Sequence, residues 1–131
     1  MTEQTDRSSG TVLLELRLRA DQRMPSEARH ATDEVLGSLD DGTRQSILLI
    51  VTELVTNAVL HGDAPASLRL LRAGELLRIE VGDSNRTPPV LRDPAPDQQN
   101  GRGMLLISAM ADDWGVSETP DGKIVWAELR P

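Results

Sequence analysis

Val12 to Arg19 alternates with a period of two: Leu14, Leu16 and Leu18 on one side, Glu15, Arg17 and Arg19 on the other. That period matches the pleat of a half-buried strand. After a break from Asp21 to Pro25 the period lengthens. Ala28, Ala31, Val35 and Leu39 recur at helical spacing, and Pro25 suits a first helical turn, where a missing N–H costs nothing. The pattern predicts a helix ended by Asp40-Asp41-Gly42, with Thr43 capping the next one. Arg44 to His61 is the longest apolar-periodic segment. Ile47, Val51, Leu54, Val55, Ala58 and Val59 fall in one wide arc, and Gly62-Asp63-Ala64-Pro65 stops the helix.

Ser67 to Arg72 and Glu75 to Gly82 read as strands joined by a tight turn at Ala73-Gly74, and antiparallel pairing is the simple choice. A loop with Pro88, Pro89, Pro94 and Pro96 runs on to Asn100. At more than about 15 residues, a loop in a compact domain usually has a use. Met104 to Ala111 reads as a helix. Trp114 to Glu118 and Ile124 to Leu129 form a last hairpin across Thr119-Pro120-Asp121-Gly122. The predicted class is α+β, with helices on one face of a mixed or antiparallel sheet. Residues 11–131 make one domain, which suits a chain of 131 residues.

Composition narrows the function classes. A formal charge of −7 argues against direct nucleic-acid binding. The chain has no Phe or Tyr, so base stacking on aromatics is restricted to Trp114 and Trp126. A base pocket would be walled by aliphatic and Met side chains. Zero Cys excludes disulfides and thiolate metal sites. No apolar run is long enough for a membrane span. Met1 to Gly10 is polar and lacks the apolar core of a signal peptide, so a disordered leader and a cytoplasmic protein are expected. The basic residues are 13 arginines and one lysine.

Three places carry candidate chemistry. Glu53 and Asn57 are four residues apart and so share one side of their helix. An Asn amide oxygen is a hard neutral ligand suited to Mg²⁺, which takes further oxygens from phosphates. A Glu one turn earlier can accept a proton from an attacking hydroxyl. The alternative is the wet side of an amphipathic helix. Against it, that side also carries Leu49, Ile50 and Leu60 and no Lys.

Asp83 ends an apolar strand. Its carboxylate can accept a hydrogen bond from the exocyclic amine of adenine, whereas it repels the six-keto oxygen of guanine. It can equally be an ordinary turn-forming residue. Gly101-Arg102-Gly103 precedes the predicted Met104 helix. Glycines there allow a ligand close to the backbone, helix N–H groups favour an anion, and Arg102 can fork onto a phosphate. Many such turns merely start helices.

The ordered set resembles the ATP-binding domain shared by gyrase, histidine kinases, a heat-shock chaperone and mismatch-repair proteins, the GHKL superfamily. Within it the chain most resembles the small anti-sigma factor serine kinases, from about Leu14 to Leu129. Glu53-Leu54-Val55-Thr56-Asn57-Ala58 matches the Asn box. The resemblance implies that Asn57 binds Mg²⁺ and that Glu53 polarises the attacking group. It makes Asp83 the adenine-binding acid, and Gly101, Arg102, Gly103 and Met104 the second glycine box, which contacts phosphates under a flexible lid.

Two positions depart from the pattern. Asn85 stands where relatives carry Gly, and Ile124 where many carry a Thr that helps the acid hold the base through water. By resemblance the fold is a two-layer α/β sandwich and the cofactors are ATP and Mg²⁺. The activity is phosphorylation of a serine on a small antagonist protein, alternating with binding of a sigma factor, commonly by a homodimer. A non-catalytic binding module of the same fold is the alternative. The segment Leu14 to Leu39, with Met24 and Leu36 as exposed contacts and His30 at the surface, is a candidate dimer or partner surface.

Overall fold

Eight elements follow one another along the chain in the order β1, α1, α2, β2, β3, α3, β4, β5. They belong to a computed structural model that describes residues 10–61, 66–84 and 99–131. β1 is Thr11–Leu18, α1 Met24–Leu36 and α2 Asp41–His61. β2 (Ala66–Ala73) and β3 (Leu76–Asp83) form a hairpin. α3 (Gln99–Met110) leads to a second hairpin, β4 (Asp113–Thr119) and β5 (Gly122–Leu129).

The five strands lie in the order β1-β2-β3-β5-β4, and every neighbouring pair is antiparallel. The sheet is therefore wholly antiparallel among the described residues. β3 and β4 run in the same direction with β5 between them, so α3 serves as the crossover that parallel strands require. The β2–β3 turn is Gly74-Glu75, one residue later than the sequence suggests, because Ala73 still pairs with Leu76. Gly74 takes φ +62°, the left-handed value that a two-residue hairpin needs and glycine adopts freely.

Register sorts the side chains onto two faces. Leu68 pairs with Val81, Leu70 with Ile79, Val81 with Val125 and Ile79 with Ala127. These residues join Ile47, Val51, Leu54 and Val55 of α2 and Ile107 of α3 in one apolar core. α2 packs over β2 and β3, α1 over β1, and α3 over β4. The result is a two-layer α/β sandwich with helices on one face of the sheet, the expected α+β class. Fully burying such a Leu, Ile or Val contributes about 1.5–3 kcal/mol each.

The other face carries charge. Arg78 donates to Glu80 at 2.8 Å and to Glu128 at 2.7 Å, and its guanidinium stacks 4.5 Å from the centre of the Trp126 ring. Arg69 reaches Glu80 at 3.5 Å and Glu15 at 3.4 Å. Gly115 pairs with Trp126, and a Cβ there would sit 2.7 Å from the indole, so a side chain is excluded where the ring lies.

The helices differ from expectation in three ways. α1 stops at Leu36, before Gly37, and it is Asp40 that caps α2, accepting from the Thr43 backbone at 3.0 Å and the Thr43 hydroxyl at 2.6 Å. The two carboxylate oxygens of Asp40 thus satisfy both Thr43 donors at once, as an N-cap Asp does. The buried stripe of α1 is Met24, Ala28, Thr32 and Leu36, while Val35 is exposed. Thr32 can lie in the core because its hydroxyl donates to the Ala28 carbonyl at 2.8 Å. Met24 and Leu36 are thus core residues and not surface contacts. His30 is exposed, as expected. Third, α3 begins at Gln99, five residues before Met104.

Candidate functional site

The long helix α2 sets the positions of Glu53 and Asn57. At about 100° per residue, its buried arc runs from Ile50 through Leu54, Ile47, Ala58, Val51 and Val55 to Leu48. Asn57 falls about 20° from Ile50, at the rim of that arc, with Glu53 about 40° further out. Both are half-buried. The true outer side of α2 is instead marked by Leu49, 38% exposed, and Leu60, 61% exposed. Ile50 is fully buried, so the expectation that it lies on the wet side is corrected. The buried arc is wider than the apolar periodicity alone implies, because α2 packs against α1, α3 and the sheet together.

Burial raises the Glu53 carboxyl pKa above its ordinary value. Partial removal from water disfavours the carboxylate, which makes Glu53 a better proton acceptor once ionised. Thr52 and Thr56, its helical neighbours, donate to the Leu48 and Thr52 carbonyls at 2.8 and 2.6 Å.

Asp83 is the last residue of β3. Two residues on from Val81 and two back from Val125, Asp83 and Lys123 are cross-strand partners on the helix-covered face. The Lys123 ammonium lies 3.1 Å from one Asp83 carboxylate oxygen and 3.2 Å from the other. The side chains are 4% exposed for Asp83 and 7% for Lys123. Gly122 brings the two strands together: a Cβ there would overlap the Asp83 carbonyl oxygen and lie 2.6 Å from the Ser84 Cα. Only a glycine admits so close a backbone approach.

Ile124 points the other way. It pairs with Gly82 and Ser117, and a Cβ on Gly82 would meet its Cγ1 at 3.6 Å, on the face opposite Asp83. The side chain that meets the acid is therefore Lys123, and the expectation attached to Ile124 is corrected. Sequence reasoning missed this residue. The signal was present, since pairing Val81 with Val125 forces Asp83 opposite Lys123, but β3 and β5 are far apart in the chain and their register was not fixed by any turn.

Gly101, Arg102, Gly103 and Met104 lie within the first turns of α3 and not in a turn before it. Only the first four N–H groups of a helix have no intrahelical partner, which in α3 means Gln99 to Arg102; Gly101 and Arg102 fall among them, and Gly103 and Met104 come after. Those four N–H groups still favour an anion. Asn85, Arg86 and Arg92 fall outside the described residues, as do Gly62 to Pro65 and Met1 to Ser9.

Among the described residues no three His, Cys, Asp or Glu side chains form a metal-binding group. A Mg²⁺ ion held by Asn57 would take most of its oxygens from phosphates and water, as that ion commonly does. The hard amide oxygen of Asn57 and the nearby Glu53 carboxyl fit such a group. At the far end of β3 the Asp83 carboxylate is already paired with the Lys123 ammonium. No helix among the described residues is long and apolar enough to cross a membrane.

Comparison with known proteins follows the same outline. The uncharacterized Streptomyces coelicolor protein SCO4941 is 37% identical over 84 residues, covering 60% of this chain and 79% of that one. The crystal structure of the RsbU and RsbW domains of Rv1364c from Mycobacterium tuberculosis superposes with a TM-score of 0.69 at 21% identity, over 89% of this chain and 31% of that one. The histidine kinase domain of a blue-light activated histidine kinase from Erythrobacter litoralis EL346 superposes with a TM-score of 0.54 at 23% identity, over 82% of this chain and 58% of that one. The chain thus spans about a third of the first solved structure and under two thirds of the second, and both share its fold. The histidine kinase-like ATPase domain profile matches residues 18–129, nearly the whole sandwich, and the chain belongs to that family.

Proposed function

We propose that this protein is an ATP-dependent regulatory kinase that phosphorylates a serine on a small antagonist protein and alternates that reaction with holding a sigma factor. The observation that carries the reading is the pair Glu53 and Asn57, one turn apart at the rim of the buried arc of α2, in a chain of this ATPase family. The fold shared with the RsbW-containing structure supports it.

Bound Mg-ATP would supply the phosphoryl group and the charge neutralisation that its transfer needs. The chain's residues have simpler tasks. Asn57 offers a neutral oxygen to the cation without adding negative charge beside phosphates. Glu53 takes the proton of the attacking serine hydroxyl, helped by a pKa that burial raises. Asp83 and Lys123 meet the base edge. The first N–H groups of α3, those of Gly101 and Arg102 among them, offer donors to the anionic tail, and Gly103 and Met104 follow in the same helix. Asn85, outside the described residues, is assigned to the nucleotide by the family resemblance alone. A homodimer is the assembly in this reading.

The test is incubation of the purified protein with Mg-ATP and a panel of small antagonist proteins, followed by mass spectrometry. Phosphoserine with the wild type and none with Glu53→Ala is expected. No phosphoserine with the wild type ends the kinase assignment.

A second reading has its own observation. Lys123 stands against both oxygens of Asp83, where an exocyclic amine would otherwise bind. That favours a module that binds a protein partner and performs no chemistry. Calorimetry with Mg-ATP separates the two: tight binding without turnover, or no binding, selects the module.

A further inference from the structure

We infer that the outer side of α2 between Leu49 and Leu60 is the docking surface for the protein that presents the serine, and that it holds aliphatic side chains on either side of that serine. The inference rests on the reading of Glu53 as the group that takes the serine proton.

The order of residues around α2 gives this surface its place. At about 100° per residue, Asn57, Glu53, Leu60 and Leu49 follow one another outward from the rim of the buried arc, all within about 80°. Glu53 therefore stands between the amide suited to the cation and two exposed leucines. A hydroxyl that gives its proton to Glu53, while a phosphate lies on the Asn57 side, arrives from the opposite side. That approach passes over Leu60 and Leu49.

This side of α2 is poor in charge. Glu53 is the only charged residue between Arg44 and His61. A helix side that only faced water would carry more. Thr52 and Thr56 lie on the same side, and each spends its hydroxyl hydrogen on the carbonyl four residues back, at 2.8 and 2.6 Å. What they have left to offer a partner is a methyl group and an oxygen that only accepts. Single exposed leucines need no explanation. Leu49 and Leu60, however, share one line of α2, about 16 Å apart along the axis, with Glu53 between them. That spacing fits a segment with the serine at its centre and an aliphatic side chain to each side. An acidic residue beside the serine would meet Glu53 and be repelled.

The experiment uses the full chain and the member of the antagonist panel that the wild type phosphorylates. Binding is titrated by calorimetry without nucleotide, and turnover is then assayed with saturating Mg-ATP. Leu49→Gln combined with Leu60→Gln keeps good helix formers at exposed positions. The double variant is expected to bind the antagonist at least about tenfold more weakly and to raise its KM by a similar factor. Its kcat stays within about twofold of the wild type, the pattern of lost uniform binding. Val12→Thr, at an exposed apolar side chain on β1, changes neither. Where circular dichroism shows that the double variant does not fold, Leu60→Gln alone is expected to weaken binding at least about threefold. A smaller change in the folded variant overturns the inference, and so does an equal loss in Val12→Thr. A variant that loses ATP affinity as much as antagonist affinity assigns the leucines to the nucleotide and overturns it too. A wild-type dimer that the double variant turns into a monomer, with KM unmoved, assigns this side of α2 to a second copy instead. If the wild type phosphorylates no antagonist, the kinase reading of Glu53 falls, and this inference with it.

Discussion

Arg78 and Glu128, fifty residues apart in sequence, meet at 2.7 Å on the sheet face away from the helices. Their side chains are 9% and 3% exposed. Arg78 also donates to Glu80 and covers Trp126, so one guanidinium joins β3 to β5 through three partners. Removing one partner of a buried pair leaves the other charge desolvated, which costs about 3–5 kcal/mol. Glu128→Ala is expected to lose up to that much in urea unfolding, less what Glu80 and Trp126 still supply to Arg78, and Glu128→Gln, which keeps an acceptor, to lose less than Glu128→Ala. A loss below about 1 kcal/mol in the alanine variant would show that water reaches the pair.

The Asp40 cap gives a prediction about pH. Hydrogen bonds from Thr43 hold the Asp40 carboxyl below its ordinary pKa. A group whose folded pKa is depressed adds stability above its unfolded pKa and loses it as pH falls through the folded one. Asp40→Ala should therefore melt below the wild type at neutral pH, and the gap should close once the pH drops below the carboxylate range. A gap that persists in acid would mean that Asp40 acts through packing and not through its charge.

Glu53 runs the other way. Burial raises its pKa, so the folded state binds the proton more tightly than the unfolded chain. Its contribution turns against folding as pH rises through the interval between the unfolded and folded values. Glu53→Gln is expected to melt higher than the wild type at pH 7, with the difference shrinking on acidification, while serine phosphorylation is lost. Thermal melts across pH check the first half. A variant that melts lower at every pH would place Glu53 among structural residues.

Much of the sandwich was legible in the chain because its strands alternate and its turns carry glycine, proline and aspartate. Leu14, Leu16 and Leu18 do face inward, and each of the five strands lies within two residues of its expected bounds at either end. What escaped was set by contacts distant in sequence. Thr32 hid the buried stripe of α1, because a threonine reads as polar until its hydroxyl finds the Ala28 carbonyl. Ile50 read as outward until α2 packed on several sides. The alternation of β3 and β5 does not place Arg78, Glu80 and Glu128, and cross-strand pairing buries them. Asp83 was singled out from the sequence, but its partner was not. Which β5 side chain meets a β3 acid is decided by register, and Lys123 and Ile124 differ by one residue and hence by a whole face.

The central claim is a magnesium-dependent nucleotide site on α2, and titration of ATP into the wild type and Asn57→Ala, with and without Mg²⁺, tests it most directly. The account predicts that the wild type binds with an affinity that falls when Mg²⁺ is chelated. It predicts that Asn57→Ala binds at least about tenfold more weakly, a difference of about 1.4 kcal/mol, and is indifferent to the metal. Wild-type binding that ignores Mg²⁺, or an Asn57→Ala protein that binds and responds to Mg²⁺ as the wild type does, would contradict it.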